Sequence, residues 1–231
     1  MPVDAPAPTD APRPIDEGRH PPGSGRWWQE TWWFDLFAPD GSFGACTWLT
    51  LLPNQRRAWY WCVLVRDGEP LLHAADLEVP WPSTGLTVRS TALWAEHLCE
   101  APFAQWTVAN ETYAVALDDA NEALGRAYGR QEPIACDLEW YGVGPPELTD
   151  TGYVQRGEVH GVIELASGSL TTETPASRGH SWGDHDWTQV GGQPATGGRA
   201  PVRLDIDGVA IALEQVVTGE GWRRWWRRIE S

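Results

Sequence analysis

Hydrophobic residues in this chain fall into short runs separated by turn formers, the pattern of strands rather than of helices. Residues 28–37 are aromatic and β-prone and stop at Pro39-Asp40-Gly41; residues 43–52 follow and stop at Pro53-Asn54. Residues 58–66 alternate Trp59, Trp61, Val63 and Val65 against Ala58, Tyr60, Cys62 and Leu64. Both faces of that strand are apolar, so both need a cover or a lined cavity. Further strands are expected at 71–79, 86–90, 103–109, 113–117 and 134–141. One short helix is expected at 119–128, where Asp118 and Asp119 suit a helix N-terminus. After Gly142-Val143-Gly144-Pro145-Pro146, which reads as a linker, strands are expected at 152–165 and 170–174 around Ser167-Gly168-Ser169. Two more, at 200–206 and 209–217, flank Asp207-Gly208, a strong hairpin signal. Many short strands with regular turns predict an all-β antiparallel barrel or sandwich.

The two ends break the pattern. Residues 1–25 carry seven prolines and few large apolar groups, so they read as a disordered or draped Pro-rich tail. Near the other end, Trp222, Trp225, Trp226 and Ile229 fall at helical spacing with Arg223, Arg224, Arg227 and Arg228 between them. That stretch fits a basic amphipathic helix lying on a membrane surface or capping a barrel mouth, and it fits a twisted edge strand equally well.

Composition narrows the function classes. A net charge of −15 repels phosphate backbones and argues against nucleic-acid binding. No apolar run is long enough for a membrane-spanning helix, and the first residues lack the order of a signal peptide, so a cytoplasmic location is expected. Cys46, Cys62, Cys99 and Cys136 are widely spaced and read as reduced, buried thiols. The sixteen tryptophans are the unusual figure. Each buried indole needs a partner for its N–H, and the excess fits either a tryptophan-heavy core or a cavity for a hydrophobic small molecule.

The densest candidate chemistry is Arg178-Gly179-His180-Ser181-Trp182-Gly183-Asp184-His185-Asp186-Trp187. In an extended chain His180 and Trp182 share a face. The string resembles the His-Ser-Trp-Gly-x-x-Asp-Trp signature of the lipocalin-like proteins grouped with carotenoid 1,2-hydratase (hydroxyneurosporene synthase), the AttH proteins and tocopherol cyclase. Glu30-Thr31-Trp32-Trp33-Phe34 resembles the early Glu-Ser-Trp strand of that group. Pro53-Asn54-Gln55-Arg56-Arg57-Ala58-Trp59-Tyr60-Trp61, Asp137-Leu138-Glu139-Trp140 and Gln155-x-Gly157-x-Val159-x-Gly161 are similar to its uncharacterised bacterial branch. The resemblance implies lipocalin-like antiparallel units in tandem, with residues 26–145 as the first and residues 146–231 as the second. Related chains continue further past the motif, so the second unit is expected to be shortened.

The resemblance also implies hydration or cyclisation of an alkene in an isoprenoid, steroid or polyketide-like substrate. His180 and Trp182 match a His-x-Trp pair thought to be essential in the carotenoid hydratases; the downstream Tyr-x-Asp pair has no clear counterpart here. Such chemistry needs a carboxylic acid kept protonated in an apolar pocket and electron-rich rings to face a carbocation. The acid candidates are Asp186, Glu30, Asp35 and Asp76. His180, Trp182 and Asp186 are therefore the expected catalytic residues, with Glu30, Trp32, Trp61, Asp76 and Trp187 lining the ligand site. No cofactor and no metal are expected. A metal held by His180, Asp184, His185 and Asp186, with His160, is disfavoured because Asp184-His185-Asp186 cannot all face inward on a strand.

The rival readings are a non-catalytic carrier of a hydrophobic molecule and an accessory subunit whose strand edges pair with another chain. A buried acid touching His180 favours the enzyme; an all-apolar pocket favours the carrier. A homodimer or a partner chain is expected, to cover the edges left by a shortened second unit. Peripheral membrane contact could come from the Trp/Arg segment.

Overall fold

A computed structural model describes residues 11–184 except 41, 67, 119–121 and 124–126, together with the backbone of residues 202–206, 209–215 and 226–228. Strands dominate: β1 (Trp28–Phe37), β2 (Phe43–Leu52), β3 (Arg57–Arg66), β4 (Leu71–Pro80), β5 (Thr87–Ser90), β6 (Leu93–Ala101) and β7 (Gln105–Leu117). They continue as β8 (Arg130–Gly142), β9 (Glu147–Thr149), β10 (Gly152–Leu165) and β11 (Gly168–Asp184). The order β4-β3-β2-β1-β11-β10-β8-β7-β6-β5 forms one antiparallel sheet, with β9 added against β10. β4 also pairs with the last residues of β7, Leu71–Leu117, Leu72–Ala116 and His73–Val115, and this short ladder closes the sheet into a barrel. The fold is all-β and barrel-like, as expected.

The strand limits show where sequence pattern was enough. β1, β2 and β10 match their expected spans. β6 was not expected, because Leu93-Trp94-Ala95-Glu96-His97-Leu98 is rich in helix-favouring residues; it holds by burying Leu93, Ala95 and His97. β11 was expected to end before Pro175, which lacks an N–H. Pro175 is exposed, however, and the ladder with β10 runs past it to Gly152–Ser181. The expected break at 145 falls between β8 and β10, neighbours in the same sheet from Gly157–Gly142 to Leu165–Ile134. Most of the expected helix at 119–128 lies outside the described residues.

A three-stranded antiparallel sheet, β12 (Val202–Ile206), β13 (Val209–Gln215) and β14 (Trp226–Arg228), is described separately. Ile206 pairs with Val209 across the β12–β13 ladder, and Asp207-Gly208, the expected hairpin turn, lies outside the described residues. Between the two readings of the Trp/Arg segment, Trp226–Arg228 is a strand at the edge of this sheet; Trp222, Trp225 and Ile229 lie outside the described residues.

Alternation sorts the barrel wall. Trp32, Phe34 and Leu36 of β1, Ala58, Tyr60, Cys62 and Leu64 of β3, and Trp106, Trp140 and Val159 belong to one buried core. The opposite face of β3 is covered too: Val63 joins Leu71, Leu117 and Ala123 in a second cluster. That explains a strand apolar on both sides. An apolar cleft between Phe34, Cys62, Val108, Ile134, Cys136 and Val159 has a volume of about 10 Å³. That is room for about one water molecule, so the interior there is filled by side chains.

Of the tail, residues 11–25 are described and lie draped over the barrel. Proline does bar them from the ladder, but they are tied across the barrel end that carries the β2–β3, β4–β5 and β6–β7 turns. Pro14–Glu17 forms a 3-10 turn that drives Glu17 into the interior, 3% exposed. Asn54 Nδ2 donates to Gly23 and Gly25 carbonyls at 2.8 and 2.7 Å, and Arg19 donates to the Pro82 and Gly85 carbonyls. The strap is short of apolar groups because polar bonds, not apolar burial, hold it.

Candidate functional site

Three neighbouring strands build the site. Register places Trp32 opposite His180 and His180 opposite Tyr153, so β1, β11 and β10 contribute one row of inward side chains. The row below is Phe34, Arg178 and Gln155; the row above pairs Glu30 with Trp182. The expected shared face of His180 and Trp182 is therefore present, with their rings 5.0 Å apart. Trp32 stacks on His180 at 4.3 Å and 20°. His20, from the strap, stacks on Trp182 at 3.9 Å and 15°.

His180 is fully buried. Its Nδ1 lies 2.7 Å from the Asp16 carbonyl oxygen, which can only accept, so Nδ1 carries a hydrogen. Its Nε2 lies 3.0 Å from Glu30 Oε1, itself 2% exposed in its residue. A neutral imidazole with Nδ1 protonated has a lone pair at Nε2, and two lone pairs do not sit at that distance without a proton between them. The pair thus holds one proton. Burial lowers the pKa of His180, and the Glu30 hydrogen bond opposes that shift without reversing it. Glu30 also accepts from the His20 backbone N–H at 3.0 Å, and its Oε1 lies 2.7 Å from His20 Nδ1.

One layer deeper, Arg178 is 1% exposed and enclosed by the rings of Trp140, Trp106 and Tyr153, with its Cζ at 4.8, 5.3 and 5.4 Å from their centroids. Its Nε and Nη2 donate to Gln155 Oε1, and Nη2 donates to Glu17 Oε1 at 2.5 Å. Glu17 further accepts from Trp106 Nε1 at 2.7 Å and from the Tyr153 hydroxyl at 2.9 Å. Burial pushes the Tyr153 phenol well above its ordinary value, so it remains a donor.

Of the expected residues, Glu30, Trp32, His180 and Trp182 come together. Trp61 does not join them: it lies on the face of β3 opposite Tyr60, edge-on to Trp59 at 5.9 Å. Asp76 sits on β4, with three strands between it and β11 either way round the ring, and accepts from the Glu78 backbone N–H. Asp35 lies on the opposite face of β1 from Phe34. Asp186 and Trp187 lie outside the described residues. Sequence reasoning missed Glu17, His20, Tyr153, Gln155 and Arg178. Asp16-Glu17 and His20 lie among the prolines of the tail, and Arg178 opens the segment 178–187 but has no counterpart in the family signature, so it drew no role. The available signal was an arginine at an inward position, two residues before His180, which requires a buried acceptor.

His20, Glu30 and His180 are of the types that ligate divalent metals, and their donor atoms lie within 4.8 Å of one another. Both imidazoles, however, meet the same carboxylate oxygen at hydrogen-bond length, the arrangement of a shared proton. His160, the outlying member of the disfavoured metal set, is on β10 beside Glu158 and Tyr141 and 41% exposed at its side chain.

No curated protein matches this sequence. Among solved structures, the chain is similar to one described as the crystal structure of CghA, at 16% identity and a TM-score of 0.37; the match covers 82% of this chain and 56% of that one. The family profile of a domain of unknown function, DUF7064, matches residues 13–213, and the chain belongs to that family.

Proposed function

We propose that the chain performs proton-initiated chemistry, hydration or cyclisation, on an alkene of a hydrophobic isoprenoid, steroid or polyketide-like substrate. The observation that carries this is the buried Glu30 carboxyl 3.0 Å from His180 Nε2, with Nδ1 committed to a carbonyl. A buried acid touching His180 is the feature that separates an enzyme from a carrier. Glu30 and His180 share the donated proton; Trp32 and Trp182 offer the indole faces that stabilise a developing cation by about 2 kcal/mol or more when desolvated. The strap covers this pair through His20 and Asp16, so the substrate reaches it when residues 13–20 move aside.

Glu30→Gln keeps the volume and an amide N–H toward His180 but removes the transferable proton. Turnover of a prenyl or polyketide-like alkene, followed by mass spectrometry, should fall by about 10²–10⁴, while the melting temperature changes little. Full activity in that variant sinks the reading. So does a stoichiometric metal that survives chelation and is needed for turnover.

A further inference from the structure

We propose that Arg178, Trp106 and Tyr153 form a carboxylate-binding cradle, that Glu17 is its internal occupant, and that a ligand bearing a carboxylate beside a carbonyl oxygen competes for it and releases the strap. This stands apart from the Glu30–His180 reading, since it concerns binding and not proton transfer.

The barrel groups that meet the Asp16 carbonyl and Glu17 are donors, whereas those that meet Arg19 and His20 are acceptors. Arg178 Nη2, Trp106 Nε1 and the Tyr153 hydroxyl converge on the Glu17 carboxylate, with Cys99 Sγ 3.8 Å from Oε2. His180 Nδ1 meets the Asp16 carbonyl and Trp32 Nε1 the Glu17 carbonyl, at 2.7 and 3.4 Å. To the barrel, Asp16-Glu17 is one carboxylate and two carbonyl oxygens on a short stem. An oxo-acid presents the carboxylate and one of those carbonyl oxygens. Glu17 does not exhaust the cradle: Arg178 Nη1 and Trp140 Nε1 are buried without an acceptor among the described residues. An unmet N–H on a buried guanidinium is costly, and an acid with more acceptor oxygens than Glu17 supplies can meet it. The cation is set for planar, bidentate recognition, yet Glu17 takes only Nη2.

The occupant is also removable. Pro14–Glu17 is a single 3-10 turn held on its C-terminal side by His20 on Glu30 and by bonds from Asn54 and Arg19 to or from surface loops, and Ile15 is 74% exposed. Withdrawing the turn exposes Arg178, Tyr153 and His180 together, so a ligand anchored by its carboxylate at Arg178 lies one strand row from His180 and two from Glu30.

The test uses the full chain with sodium phenylpyruvate as probe and 3-phenylpropanamide as the uncharged control. Phenylpyruvate should accelerate tryptic cleavage after Arg19 by about tenfold or more, because cleavage follows the population of the open strap; the amide should not. Equal cleavage with and without phenylpyruvate overturns the proposal. In Glu17→Ala the cradle has no internal occupant, and acetate should restore the lost melting temperature saturably while acetamide does not. In Glu17→Gln, whose amide still fills the space, acetate should do little. A folded Glu17→Ala protein indifferent to acetate also overturns the proposal; if that variant does not fold, cleavage of the unaltered chain decides alone.

Discussion

The barrel encloses two histidines in opposite ways. His180 is fully buried and each ring nitrogen has a close partner, one a carbonyl and one a carboxylate. His97 is 2% exposed and meets only Thr47 Oγ1, at 3.4 Å, through Nε2; its Nδ1 finds no partner among the described residues. Around His97 lie Phe34 at 5.2 Å and Tyr60 at 6.3 Å, and burial alone drives its pKa to about 3. It is a neutral space-filler. Burial is common to both residues, so burial does not mark the site. What marks it is a fixed tautomer aimed at an acid.

The largest expected effect separates the layers by charge. Arg178→Met removes one partner of a fully buried ion pair and leaves Glu17 uncompensated, which costs about 3–5 kcal/mol. Thermal unfolding should show a drop of at least about 6 °C at about 2–4 °C per kcal/mol for a chain of this size. A drop under two degrees would mean the strap is not an integral part of the fold.

An intermediate effect comes from pH. The unfolded chain protonates His97 near its ordinary value of about 6.5, while the folded chain resists until about pH 3. The unfolded state therefore binds more protons across that window, and stability falls as pH falls, by up to about 1.4 kcal/mol per pH unit for this one residue. The contribution is fully present above about pH 6.5. His97→Leu should flatten the dependence of melting temperature on pH between about 6 and 4; an unchanged slope would assign the acid sensitivity to another group.

The smallest effect probes the neutral layer. Asn110 Nδ2 donates to the Tyr60 hydroxyl at 2.8 Å in the buried core. Tyr60→Phe orphans that donor and should cost about 1–3 kcal/mol in denaturant unfolding. Turnover should be untouched, because Tyr60 lies on β3 and the proton pair on β1 and β11. Lost turnover with little lost stability would extend the site into the layer that the comparison calls inert.

How much of this the sequence carried depends on range. Period-two alternation put His180 beside Trp182, and the run around Glu30 marked β1, because both are properties of a single strand. The pairing of Glu30 with His180 depends on β1 lying beside β11, 150 residues later in the chain, and alternation within a strand says nothing of that. Glu30 was consequently one acid candidate among four. Trp61 illustrates the same limit: alternation separated it from Tyr60 but could not say which face looked inward, and a second cluster behind β3 reversed the expectation. The strap was missed for another reason. Proline content argues against regular structure, and residues 11–25 have none beyond one 3-10 turn, yet a segment without regular structure can still be fixed by side chains it inserts and carbonyls it offers.

The closing ladder between β4 and β7 carries a consequence of its own. Beyond Leu71–Leu117, Leu72–Ala116 and His73–Val115, the two strands part, and β7 continues with β6 instead. A ring fastened over so few rungs has a built-in seam, whereas β10 and β11 are laced along their whole length. Spontaneous opening will begin where the fewest backbone bonds must break at once. In amide exchange, the rungs at 71–73 and 115–117 are therefore the place to look for the first deuterium to enter the wall, with the β10–β11 seam the last to yield.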